Sequence, residues 1–176
     1  MKNIGIIVGS LRKESLNRKL AIAITKLTND VKFSFIEIKD LPLYNQDIEE
    51  PLPEIIKSFK NEIESKDAIL FLCPEYNRSV SGALKNALDW GSRPYGTNSF
   101  KNKACAVAGI SPGTTATAVA QNQLKPILLF LDMKVIGQPE LYITHKQDMF
   151  DTELNFNDKS TKDFFGQFIS KFISSI

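Results

Sequence analysis

The chain has 176 residues, 43% of them hydrophobic and 24% charged, with a net charge of +2. This length and composition are typical of a single globular domain, which we expect to span residues 1–176. The small and scattered charge argues against a nucleic-acid partner or a membrane surface, and no apolar run reaches the roughly 20 residues of a membrane-spanning helix.

Five strand-like apolar runs alternate along the chain with segments of helical period. The runs are IGIIV (4–8), VKFSFIEI (31–38), DAILFLC (67–73), ACAVAGI (104–110) and a weaker one around PELYI (139–143). The helical stripes start at Leu16, Ile56, Val80, Ala120 and Phe165. Pro126 falls inside the fourth stripe and predicts a kink or a late start of that helix.

This alternation predicts an α/β fold, a doubly wound sheet of five parallel strands in the order 2-1-3-4-5 with helices on both faces. The polar and apolar alternation of residues 31–38 suits an edge strand with one wetter face. In such sheets ligands bind beyond the carboxyl ends of the strands, at the switch point between strands one and three. The loops 9–17, 74–82 and 111–117 should therefore line one crevice.

The first loop, GSLRKESLN (9–17), has the residue types of an anion site. A loop that opens a helix presents unpaired backbone N–H groups, and the helix dipole favours an anion there. Ser10 and Ser15 add hydroxyl donors, and Arg12 adds a guanidinium that suits phosphate oxygens. The alternative is a helix capped by Ser15 or Asn17, with solvated basic residues.

The common phosphate motifs do not match this loop. Both G-x-x-x-x-G-K-[ST] and G-x-G-x-x-G are missing, which argues against a P-loop nucleotide triphosphatase and a dinucleotide held by the first turn. Gly9 and Ser10 stand where a phosphoacceptor receiver domain would carry acidic residues. A monophosphate held by hydroxyls, backbone and Arg12 remains, and in this fold it indicates FMN.

The second loop starts the segment PEYNRSVSGALKNALDW (74–90). Pro74 has no N–H, and we expect the backbone amides of residues 75–77 to face the crevice, where a flavin ring needs donors. Tyr76 offers an aromatic face. A strand-to-helix loop capped by Ser79 or Ser81 is the structural alternative, and the two interpretations are compatible.

Three segments together resemble the NADPH-dependent FMN reductase family. They are GSLRKESLN, PEYNRSVSGALKNALDW with SRP after it, and GISPGTTATAVAQNQLKPILLFLDMKV, within residues 3–145. The resemblance implies a flavodoxin-like fold, bound FMN, and NADPH or NADH as co-substrate. It also implies small acceptors such as quinones, azo compounds, chromate or free flavin, and a homodimer or homotetramer. The family often has paired glycines where this chain has Thr114 and Thr115, which puts the shape of the pocket mouth in question.

The resemblance also implies which residues bind the cofactor. They are Ser10, Arg12, Ser15, Leu16 and Asn17 around the phosphate, Pro74, Glu75, Tyr76 and Asn77 around the ring, and Ser111 and Gly113 beside its pyrimidine edge. Arg78 and Arg93 are candidates for binding an anionic substrate group, and Arg93 could equally be an ordinary surface residue. No catalytic side chain is expected, because the flavin carries the chemistry.

The remaining reactive residues are expected to take no part. His145 follows the last strand, away from the three loops, and is expected in solvent. One histidine and two separated cysteines predict no metal site. Cys73 and Cys105 lie in apolar runs, which favours buried thiols in a reducing compartment. With no signal peptide predicted at the N-terminus, we expect a cytoplasmic protein.

An FMN-dependent NAD(P)H oxidoreductase is the function that these observations favour. A flavodoxin-type electron carrier is the main alternative, but such carriers are typically acidic, whereas the isoelectric point of this chain is near 8.4. A flavin-binding regulator without turnover is a third possibility. Consumption of NADPH in the presence of a quinone separates that regulator from an enzyme.

Overall fold

A computed structural model describes residues 1–176. Its strands are β1 (Lys2–Val8), β2 (Val31–Phe35), β3 (Ala68–Leu72), β4 (Glu75–Tyr76), β5 (Ser79–Val80), β6 (Ala104–Ser111), β7 (Lys134–Val135) and β8 (Leu141–Thr144). Its helices are α1 (Leu16–Thr25), α2 (Glu54–Glu64), α3 (Gly82–Ser92), α4 (Ala118–Phe130) and α5 (Lys159–Ser174), and a 3₁₀ turn covers Gln46–Ile48.

The main sheet is parallel throughout, in the order β2-β1-β3-β6-β7, with β8 also paired to β6. The predicted order and the flavodoxin-like class are confirmed, with β6 as the fourth strand. The fifth position differs from the prediction, because two short segments share it. β7 pairs with the first residues of β6, and β8 pairs with its last residues.

The sheet separates two hydrophobic cores, because successive side chains of a strand point to opposite faces. In β1, Ile4 and Ile6 belong to the first core and Ile7 to the second. Helices α1 and α5 cover the first core, and α2, α3 and α4 cover the second. Burial on both faces explains why β3 is an uninterrupted apolar run.

Two local predictions are wrong, and one alternative of a third is excluded. Val80 lies in a short β4–β5 hairpin rather than in α3, and the hairpin turns through Asn77 and Arg78 at φ 51° and 62°. This left-handed region is common for asparagine but unusual for arginine, so the turn has a weak sequence signal. β2 ends at Phe35, three residues before the predicted end. Of the two alternatives predicted at Pro126, a kink or a late start, the late start is excluded, because α4 begins at Ala118 and continues through Pro126.

Side chains from neighbouring elements hold the three crevice loops together. The Asn17 carboxamide donates to the carbonyl of Ile110 at 3.0 Å and accepts from its N–H at 3.1 Å. The Ser81 hydroxyl, at the N-cap of α3, donates to the carbonyl of Gly9 at 2.6 Å. A Cβ at position 9 would lie 2.8 Å from Cδ of Pro74, so this close approach of the first and second loops requires glycine.

Replacement of Asn17 by alanine is expected to lower the free energy of unfolding by roughly 2–4 kcal/mol, because it leaves both backbone groups of Ile110 unpaired in a buried site. Urea unfolding followed by circular dichroism measures the change. Asn122→Ala is the matched control, since the Asn122 side chain is exposed and bonds only within its own helix. A loss no larger than that of the control would contradict this role of Asn17.

Candidate active site

A crevice of about 120 Å³ lies at the carboxyl ends of β1, β3 and β6. Its lining residues are Ser10, Arg12, Ser15, Leu16, Asn17, Pro74, Glu75, Tyr76, Ile110, Ser111 and Pro112. The three loops therefore meet, as the strand order predicts. Among the expected cofactor-binding residues, only Asn77 and Gly113 lie outside this lining, each next to a residue that belongs to it.

The first loop presents several hydrogen-bond donors to the crevice. Ser15 is the N-cap of α1, and its oxygen accepts the N–H of Arg18 at 3.2 Å, which leaves the hydroxyl hydrogen free to donate. The backbone N–H groups of Leu16 and Asn17 have no acceptor in the protein, as is usual in the first turn of a helix. Arg12 is exposed and also lines the crevice. These groups suit a small anion.

Asn17 has a different role from the one that its position in the loop suggests. The residue is 4% exposed, and both the nitrogen and the oxygen of its carboxamide are bonded to Ile110. The alternative of Asn17 as the helix cap is therefore wrong, since Ser15 caps α1. Only the backbone N–H of Asn17 remains available to a ligand.

The second loop carries an exposed aromatic ring on a well-anchored base. Tyr76 is 50% exposed, and its hydroxyl lies 3.2 Å from the Ser10 hydroxyl of the first loop. The Glu75 side chain is only 6% exposed and accepts from the N–H of Ala120 at 3.0 Å and from the Arg78 guanidinium at 3.1 Å. Glu75 thus binds the start of α4 and fixes the hairpin that presents Tyr76.

The third loop is bonded both internally and to the second. The N–H of Gly113 donates to the Ser111 hydroxyl at 3.2 Å, so these two groups partly satisfy each other. The N–H groups of Thr114 and Thr115 have no acceptor in the protein. The Arg78 guanidinium donates to the Thr115 hydroxyl at 2.6 Å. A glycine at position 115 could not form this contact between the two loops.

His145 lies closer to the loops than its position in the sequence suggests. The backbone N–H of His145 donates to the carbonyl of Ser111 at 2.9 Å, and the Thr144 hydroxyl donates to the carbonyl of Gly113 at 3.4 Å. The expectation that His145 lies away from the three loops and is exposed to solvent is wrong, because β8 runs parallel to β6 and both strands end at the same edge. The histidine is partly buried.

Arg93 is not part of the crevice within one chain. Its guanidinium donates to the Tyr44 hydroxyl at 2.9 Å and lies 3.5 Å from the Glu49 carboxylate. Both partners come from the long loop after β2, whose role in anchoring Arg93 has no local sequence signal. Arg78, the other candidate for substrate binding, lies beside the crevice and spans its second and third loops.

The chain matches the family model of the NADPH-dependent FMN reductases over residues 2–148. It belongs to this family. It is 46% identical to a quinone reductase of Pseudomonas putida over 174 residues, which are 98% of this chain and 93% of the relative. It is 41% identical over 170 residues to a 2-hydroxy-1,4-benzoquinone reductase of a Burkholderia species, covering 96% and 93% of the two chains.

A solved structure of the same family is nearly superimposable. The flavoenzyme NAD(P)H:(acceptor) oxidoreductase FerB from Paracoccus denitrificans matches with a TM-score of 0.95 and 41% identity, over 99% of this chain and 96% of that one. The resemblance found in the sequence motifs is therefore confirmed at the level of family and fold.

The two cysteines are buried, and their thiols are unreactive. Burial raises the pKa of Cys73 to about 12, with a further contribution from the negative charge of Glu75, and burial also raises the pKa of Cys105 to about 12. A reactive thiol needs a thiolate in an accessible, electropositive setting. Both thiols are therefore protonated at neutral pH, and neither lines the crevice.

The double variant Cys73→Ala, Cys105→Ala is expected to keep bound flavin and most of its NADPH-dependent reduction of a quinone, because neither thiol can act as a nucleophile. It should lose stability from the smaller core side chains. Steady-state kinetics and flavin absorbance measure both properties. A folded, flavin-loaded variant with turnover lowered about a hundredfold, equivalent to ~2.7 kcal/mol of barrier, would mean that sulfur takes part.

Proposed function

We propose that this chain holds FMN in the crevice and passes two electrons from NAD(P)H to quinones and similar small acceptors. The observation that carries the proposal is the meeting of three loops at the carboxyl ends of β1, β3 and β6, with unpaired backbone donors on the first and third loops, in a member of the NADPH-dependent FMN reductase family. When bound, FMN supplies the hydride and electron chemistry.

The first loop fits one phosphate group. Residues 10–17 supply both neutral and charged hydrogen-bond donors. They are the free N–H groups of Leu16 and Asn17, the hydroxyls of Ser10 and Ser15, and the guanidinium of Arg12. The N-terminus of α1 adds its dipole. The chemistry of these donors matches the phosphate of FMN.

The second and third loops fit the ring of the cofactor. Pro74, Glu75 and Asn77 shape the hairpin that presents the aromatic face of Tyr76. On the opposite side, Ser111 and Gly113 shape the third loop, whose free N–H groups at Thr114 and Thr115 can stabilise negative charge on the pyrimidine edge. Arg78 positions both loops and remains a candidate contact for an anionic acceptor. No side chain is assigned as a general acid or base.

The purified protein is expected to be yellow, to release FMN on denaturation, and to oxidise NAD(P)H in the presence of quinones. Arg12→Ala should weaken FMN binding by roughly 1.5–3 kcal/mol, the scale of a hydrogen bond to a charged group. Fluorescence titration of the apoprotein with FMN measures the affinity. Steady-state assays with quinones, azo dyes and free flavin measure turnover and acceptor range.

Lys162→Ala is the control for this experiment, because it removes one exposed positive charge on α5, outside the crevice. Unchanged FMN affinity in Arg12→Ala would remove Arg12 from the site. Bound FMN without any NAD(P)H oxidation would instead favour a regulator, and transfer only to a protein partner would favour a flavodoxin-type carrier.

We also propose that the chain forms a homodimer or a homotetramer. Tyr95 and Phe130 are 91% and 87% exposed, and Leu129 is 61% exposed. Phe130 also borders a groove of about 360 Å³ between α3 and α4, together with Leu88 and Ile127. Aromatic side chains this exposed are typical of surfaces that a partner covers.

Phe130→Lys is expected to shift the protein toward the monomer, because a charge would replace an apolar contact. Light scattering at micromolar concentration measures the oligomeric state. Leu43→Lys is the control, since Leu43 is 82% exposed but lies in the loop after β2. A wild-type protein that is monomeric at that concentration, with full activity, would reject the oligomer.

We propose a cytoplasmic location because the two cysteines form no disulfide. Both thiols are free and buried, as is typical of proteins in a reducing compartment. Separately, none of the helices combines the length and the hydrophobicity that crossing a bilayer requires.

A further inference from the structure

A second groove, of about 410 Å³, adjoins the crevice on the β2 side of the first loop. It is lined by Val8, Ser10, Leu11, Arg12, Lys13, Arg18, Phe35, Ile36, Glu37, Ile38 and Lys39. Ser10 and Arg12 line both cavities, so the first loop forms a wall that the two share. We call this second cavity the basic groove.

The basic groove has an excess of positive charge. Four of its lining residues are cationic and only Glu37 is acidic. The Arg18 guanidinium lies 2.7 Å from the Glu37 carboxylate, so these two charges largely compensate. Lys39 is 65% exposed and lies 3.9 Å from Asp40. Beside Lys13, Glu14 is paired with Lys19 at 3.0 Å. Lys13 has no ion-pair partner, and the Lys39–Asp40 pair is long and exposed, so both ammonium groups are available to an anionic ligand.

Five of the residues that line the basic groove are hydrophobic, and one of these, Phe35, is aromatic. The Arg18 guanidinium lies over the Phe35 ring, 4.7 Å from its centroid. Leu11, which also lines the groove, is 54% exposed and adds apolar surface that a ligand can contact. Stacked cationic and apolar surfaces of this kind suit a flat heteroaromatic base. The groove thus combines a surface for a base with cations for a phosphate.

We propose that the basic groove binds the adenosine end of NADPH, with Lys13 and Lys39 binding the 2′-phosphate. This inference rests on the proposed function, since the nicotinamide must reach the flavin in the crevice. The groove and the crevice lie over neighbouring strands, which are separated by about 5 Å, and a dinucleotide joined through its pyrophosphate can span them. The 2′-phosphate carries about −1.5 to −2 charges at pH 7, and NADH lacks it. The chain therefore prefers NADPH.

The test compares two soluble fragments of the co-substrates on the FMN-loaded protein. Adenosine 2′,5′-bisphosphate is expected to bind in isothermal titration calorimetry and to compete with NADPH, and adenosine 5′-monophosphate is expected to bind much more weakly. In the double variant Lys13→Gln, Lys39→Gln, the KM for NADPH should rise by about tenfold, since exposed ion pairs contribute up to about fivefold each. The KM for NADH, both kcat values and the FMN content should stay unchanged.

Lys162→Gln is the matched control, with the same loss of charge at an exposed site on α5. Equal changes for NADPH and NADH, or bisphosphate binding that the double variant leaves unaltered, would overturn the inference. Release of FAD rather than FMN would also overturn it, because the adenosine of FAD would then occupy the groove. A protein that holds no flavin would refute the proposed function. Calorimetry with adenosine 2′,5′-bisphosphate would still test whether the basic groove binds this nucleotide.

Discussion

The two hydrogen bonds between the Asn17 carboxamide and the backbone of Ile110 fix the geometry on which the crevice depends. They join the first turn of α1 to the end of β6, although β3 lies between β1 and β6 in the sheet. A buried amide that satisfies an N–H and a carbonyl at once leaves little freedom to either element. The donors at the start of α1 are therefore held opposite the third loop before any ligand binds.

The other loop contacts extend the same frame. Ser81 bonds the first loop from the start of α3, and Glu75 bonds the second loop to the start of α4. These anchoring side chains are buried, whereas Arg12 and Tyr76, which would face a ligand, are exposed. The site thus combines a rigid base with accessible contact groups, and this pre-organisation reduces the cost of ordering on binding.

Much of the fold and the location of the site could be predicted from periodicity alone. Apolar runs, continuous in β1, β3 and β6 and alternating in β2, identified the four longest strands of the sheet, and the rule for parallel sheets placed the loops around Ser10, Pro74 and Ser111 together. Individual side-chain roles were harder to predict. Asn17 in a serine-rich loop has the residue type of a cap or a phosphate ligand, and its bond to Ile110 joins positions 93 residues apart. The position of His145 was predicted wrongly for a similar reason, because only the pairing of β6 with β8 brings it next to Ser111.

The fifth position of the sheet, which β7 and β8 share, limits how two copies of this chain can associate through their sheet edges. An unpaired strand edge is a template for pairing with another chain, and proteins limit this hazard by keeping such edges short. Here one border is formed by two segments of two and four residues, and the opposite border, β2, by five. Neither border offers a long ladder of free amides, so continuous sheets between molecules are disfavoured and association is left to the helical faces.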